Sequence, residues 1–87
     1  MNSDSSEKWL YSVWLKDTRY YGLELCQDLF GNWIVQSTWG RYQSYGAGQS
    51  RSTVCKDYQQ ALVVYQQEQA RRIKRGYVLQ QDNSQIE

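Results

Sequence analysis

From Lys8 to Lys16, "KWLYSVWLK", the chain alternates: Trp9, Tyr11, Val13 and Leu15 fall on one side, Leu10, Ser12, Trp14 and Lys16 on the other. A period of two predicts a β-strand, here with apolar side chains on both faces. "DTR" supplies a turn, and "YYGLELCQ" resumes the alternation with Tyr21, Leu23 and Leu25 on one face. "DLFGN" offers Asp28 and the Gly31-Asn32 pair for a second turn. "WIVQSTW" follows as a third strand, with Trp33, Val35, Ser37 and Trp39 on one face. After a glycine-rich stretch, "RSTVC" is β-branched enough for a fourth. The pattern predicts an antiparallel meander.

The period then lengthens. Asp57 with Gln60 makes a D-x-x-Q form of the capping box. Ala61, Leu62, Tyr65, Gln69 and Ile73 follow at helical spacing as far as a stop at Gly76. Asp57 at the start and Arg72, Lys74 and Arg75 in the last turn suit the helix dipole. The apolar stripe is narrow, so the helix needs a sheet to lie on. The expected fold is α+β: a small antiparallel sheet of four to five strands with one C-terminal amphipathic helix packed on it. Residues 1–7 and 80–87 read as a disordered leader and tail around a single domain, 8–79.

Composition narrows the chemistry. The chain has 87 residues, and four Trp, eight Tyr and one Phe give so small a domain the large side chains its core requires. It has no histidine, which removes the commonest general base and metal ligand. The serines therefore lack an ordinary activator, and Asp17, Glu24 and Asp28 stand without a partner at fixed spacing. Cys26 and Cys55 fit no metal-ligand spacing. No catalytic residue, metal or cofactor is expected. Gly46-Ala47-Gly48 leads from strand to strand rather than into a helix, so it lacks the setting of a phosphate-binding loop. Gly46 and Gly48 read most simply as positive-φ turn residues. "MNSDSSEK" is polar and no apolar run approaches a membrane span, so the expectation is a cytoplasmic protein with reduced, buried thiols and no membrane contact.

Charge points to a partner. Residues 1–40 carry three basic and five acidic groups, whereas residues 41–76 carry seven basic against two acidic. The stretch "TWGRYQSYGAGQSR" sets Trp39, Tyr42 and Tyr45 beside Arg41 and Arg51, and the helix end adds Arg71, Arg72, Lys74 and Arg75. Cations neutralise phosphates, and flat side chains stack on bases at roughly 1–3 kcal/mol each. Plainer readings compete with this one. Trp39 shares the parity of the core candidates Trp33 and Val35. Arg41 has hairpin carbonyls or Asp28 to bond. A basic helix end is also what a solvated, dipole-matched surface looks like. A protein-binding surface would use the same Trp, Tyr and Arg anchors.

The residues Trp39-Gly40-Arg41 also form a motif. The sequence resembles the WGR domain, on the strength of "YYGLELCQDLFGNWIVQSTWGR", the helix start "DYQQAL" with Ala61, and the closing "RIKRGY". The resemblance covers about residues 9–79. It implies a small antiparallel sheet flanked by a helix. WGR domains occur in DNA-damage-responsive poly(ADP-ribose) polymerases and in bacterial proteins, including short stand-alone ones. In the polymerases the domain binds DNA ends; the motif Trp stacks near the terminal sugar and 5′ phosphate, and the motif Arg supports contacts between domains. Carried over by position, Trp39 is the stacking residue and Arg41 the contact residue. The expectation is a bacterial-type, non-enzymatic nucleic-acid-binding module, DNA ahead of RNA, whose binding is structure- or end-dependent. Its residues would be Trp39, Gly40, Arg41, Tyr42, Tyr45, Arg51, Arg71, Arg72, Lys74 and Arg75. A protein-interaction adaptor built on the same loop is the alternative, and the chain is expected to be a monomer or weak dimer. Tyr42-Gln43-Ser44-Tyr45 departs from the family's usual aliphatic-glycine continuation, and Cys55 replaces a customary large ring.

Overall fold

The computed structural model describes residues 8–41 and 48–83. Five strands and one helix follow in the order β1 (Leu10–Lys16), β2 (Arg19–Gln27), β3 (Trp33–Arg41), β4 (Gln49–Cys55), α1 (Tyr58–Lys74) and β5 (Val78–Asp82). The strands form one antiparallel sheet in the order β4-β3-β2-β1-β5. The four-strand meander and the helix lie where the alternation places them. The fold is α+β, as the sequence pattern predicts.

β5 was not separately legible. It takes residues 80–82 of the segment read as tail. "VLQQD" is short and mostly exposed, so no hydrophobic alternation betrays it. Backbone pairing with β1 makes it a strand, with a bulge between Val13 and Trp14. Asn83 then ties the end down: its side chain accepts from the Tyr11 N–H and donates to the Trp9 carbonyl.

The core lies between the sheet and α1. Trp14, Tyr21, Leu23, Leu25, Val35 and Cys55 meet Ala61 and Tyr65 of the helix. A buried polar node crosses this layer. Ser12 Oγ accepts from Trp14 Nε1 at 2.9 Å and from the Tyr65 hydroxyl at 3.1 Å, which fixes the helix against β1. Cys26 pairs with Ile34 and Cys55 with Trp33, neighbours that point to opposite sides of β3. The sheet therefore separates the two buried thiols, and burial pushes both above the usual cysteine range.

Helix capping differs slightly from the expected box. Asp57 accepts from the Gln60 N–H at 2.9 Å, but Gln60 returns its bond to the Lys56 N–H. At the far end, Gly76 (φ 89°) ends the helix in a Schellman motif. The Gly76 N–H bonds the Ile73 carbonyl and the Tyr77 N–H bonds the Arg72 carbonyl. Ile73 does not belong to the buried stripe, being 64% exposed. The buried row runs Ala61, Tyr65, Arg72, with the largely covered Glu68 between them. Gly48 is likewise not a positive-φ residue. It is glycine for room: a Cβ there would stand 2.5 Å from the Tyr20 hydroxyl and 2.9 Å from the Trp39 carbonyl oxygen.

Candidate functional site

The register of β2 and β3 sets Tyr21 opposite Trp39 on the helix side of the sheet. Their rings lie nearly parallel, 11° apart, with centroids 5.8 Å apart. The Schellman turn then delivers Tyr77 edge-on to Tyr21, at 6.1 Å. Arg72 comes down from α1 onto this aromatic floor, its Cζ 3.9 Å from the Tyr21 centroid and 5.6 Å from that of Tyr77. Only 4% of Arg72 is exposed. A guanidinium taken so far out of water needs compensation, and the ring faces supply part of it.

Glu68 supplies more. One turn earlier on α1, its carboxylate lies 3.5 Å from Arg71 and 3.8 Å from Arg72. The pairing is electrostatic and incomplete as hydrogen bonding, since Arg72 Nε and Glu68 Oε1 are buried without a hydrogen bond among the described residues. Around this pair a cleft of ≈ 320 Å³ opens between the helix end and the sheet. Tyr21, Trp39 and Tyr77 form its aromatic wall, and Arg51, Arg71, Arg72 and Arg75 with Glu68 complete its lining. Among the described residues, four guanidiniums against one carboxylate make it strongly cationic. Lys16 braces the rim by donating from Nζ to the Arg75 carbonyl at 2.7 Å, where it also meets the negative end of the helix dipole.

The structure thus brings together Trp39, Arg51, Arg71, Arg72 and Arg75 of the residues the sequence singles out. Trp39 is half-buried: it packs against the core and also lines the cleft. Gly40 serves close packing, because a Cβ there would meet Gly48 Cα at 3.1 Å and the Tyr20 hydroxyl at 3.2 Å. Arg41 is exposed at the end of β3, opposite Arg19 and outside the cleft lining. Its suggested partner Asp28 is at the other end of that strand, bonded within its own turn. Lys74 points away, into a shallow groove on the outer side of α1. Tyr42 and Tyr45 lie outside the described residues, as does Gly46.

Tyr21, Tyr77 and Glu68 escaped the sequence reading. Tyr21 shares the parity of Leu23 and Leu25 and so reads as core, which it also is. The i, i+4 pair Glu68 and Arg72 was the available signal, but Ile73 drew the stripe one residue too far round the helix.

Among the described residues no group of three or more His, Cys, Asp or Glu could hold a metal ion, and no helix is long and apolar enough to cross a membrane. The family model of the WGR domain matches residues 9–84. Neither a curated protein nor a solved structure matches the chain.

Proposed function

This chain belongs to the WGR domain family, and from that premise we propose that it is a non-catalytic module that grips the end of a DNA strand in the cleft between Trp39 and the end of α1. The family is a nucleic-acid-binding one. The observation that carries the finer reading is the cleft itself: an aromatic wall of Trp39, Tyr21 and Tyr77 facing Arg51, Arg71, Arg72 and Arg75. A stacked base or sugar needs the first, and a phosphate the second.

Each residue has a part. Trp39 offers its uncovered surface for stacking, while Tyr21 beneath it holds the indole plane. Arg51, Arg71 and Arg75 are exposed and bond phosphate oxygens. Arg72 is the buried charge that raises the potential of the cleft floor, where low dielectric strengthens its pull. Arg41 and Lys74 lie outside the cleft lining and take no part in holding the strand end. Among the described residues the cleft has no Asn or Gln for base edges and its exposed arginines serve phosphate, so binding follows strand ends rather than sequence. A cleft of ≈ 320 Å³ suits a terminal nucleotide better than the continuous backbone of a duplex.

The test is a titration of blunt 5′-phosphorylated duplex, the same duplex without the phosphate, and a single strand, each at two salt concentrations. The expected result is salt-sensitive binding, tightest to the phosphorylated end and lost in Trp39→Ala. Absence of salt-sensitive binding to all three would overturn the proposal.

A further inference from the structure

The turn between β2 and β3 is built for display. Asp28 Oδ1 accepts from the N–H groups of Phe30 and Asn32, both at 2.9 Å, and its Oδ2 accepts from the Asn32 amide at 3.2 Å. The Asp28 N–H bonds the Asn32 carbonyl, and the Gly31 N–H bonds the Asp28 carbonyl. Gln27 closes the frame by donating to the Gly31 carbonyl. On this rigid loop stand Leu29, 98% exposed, and Phe30, 86% exposed. Two large apolar side chains held in water on a turn that needs neither are a ready-made anchor, with little ordering entropy left to lose on docking.

A complementary surface exists on the same chain. Ile73 and Ala70 line the groove on the outer side of α1, flanked by Arg71, Lys74 and Gln67. The turn is convex, apolar and anionic at its base. The groove is shallow, apolar and rimmed by cations. They cannot meet within one molecule. Trp33, just past the turn, packs 5.0 Å from Tyr58 at the start of α1, whereas Ile73 lies about 22 Å further along the helix axis.

We infer that a second copy of this chain occupies the groove: Leu29 and Phe30 of one molecule seat on Ala70 and Ile73 of the next, with Asp28 facing Arg71 and Lys74. Such a contact is heterologous, head to tail, so a joined pair keeps one free turn and one free groove and can grow further. The area is small and the association accordingly weak and reversible.

Sedimentation equilibrium of the full chain tests this, with circular dichroism melting to show that each variant is folded. The wild-type mass should rise from monomer towards larger assemblies between about 0.01 and about 1 mM, the range a contact this small requires, and added salt should oppose the rise. Phe30→Ser and Ile73→Ser should each remain monomeric alone. Mixed in equal amounts they should form a dimer and stop there, because one supplies only a groove and the other only a turn. A wild-type chain that stays monomeric throughout overturns the inference and leaves the turn to a different protein. So does a mixture that stays monomeric, or self-association that survives in Ile73→Ser, which would mean turn against turn. Neither Phe30 nor Ile73 lines the aromatic-arginine cleft, but Arg71 lines both cleft and groove, so the oligonucleotide titration is run at concentrations where the chain is monomeric.

Discussion

Arg72 shows how far a single residue's meaning depends on one hundred degrees of helix rotation. In the run Arg71-Arg72-Ile73-Lys74-Arg75 the isoleucine looks like the inward residue, yet the arginine is buried and Ile73 is exposed. Composition favoured the apolar side chain; the anchors Ala61 and Tyr65 fixed the phase and carried Arg72 onto Tyr21. The site residues with ambiguous chemistry were therefore the least legible. The Arg72–Glu68 pair makes a direct prediction. Arg72→Met keeps the stem packing but leaves Glu68 largely covered with one cation fewer, so stability should fall by about 1–3 kcal/mol. Glu68→Leu added to that variant should recover most of the loss in urea unfolding, whereas simple additivity would show that the two side chains are not coupled. Tyr65 predicts the alkaline limb. Burial pushes its phenol up to about 12, against an ordinary 10. The folded state then holds its proton more tightly than the unfolded one. That stabilisation is complete below pH 10 and is lost as pH rises towards 12, roughly 2–3 kcal/mol in all. Urea midpoints across that window should fall in the wild type and fall less in Tyr65→Phe.

At the level of elements, the strands and helix with strong periodicity were legible and the connections that aim them were not. Alternation located β1 to β3, β-branched composition located β4, and capping chemistry located both ends of α1. β5 went unread because pairing with β1, a contact distant in sequence, creates it. The alternation ends the third strand at Trp39; in the structure Gly40 and Arg41 extend it, so the whole motif finishes β3, and Trp39 keeps the core-facing parity while bordering the cleft. The helix end is the element to perturb. Gly76 has φ 89°, a conformation that costs an L-residue about 1–2 kcal/mol. Gly76→Ala should lower stability by that amount and, because the same turn delivers Tyr77 to the cleft, weaken oligonucleotide binding more than a stability-matched change elsewhere. Asp57→Ala provides that control. It removes the cap at the opposite end of α1, for about 1 kcal/mol, and should leave affinity unchanged at temperatures where both variants are folded.

Across the whole molecule, the two ends differ in kind. One holds the arginines of the cleft; the other holds the Asp28 turn with its exposed Leu29 and Phe30. The asymmetry was visible in sequence as a basic segment after an acidic one, but charge counting alone made every cation equivalent. Folding sorts them. Arg51, Arg71, Arg72 and Arg75 share the cleft with Glu68, a net of three positive charges, whereas Arg41 and Lys74 stand outside it. The distinction is measurable, because each phosphate neutralised on duplex DNA adds about 0.9 to the slope of log affinity against log salt. Binding confined to the cleft predicts a slope of about −3 on duplex ends and about −2 on single strands, where each contact counts for about 0.7. Engagement of all six cations named from the sequence would steepen the duplex slope to about −5. Arg41→Gln and Lys74→Gln separate the two cases: with the cleft alone in charge, neither substitution changes the slope, and Arg75→Gln reduces it by about one.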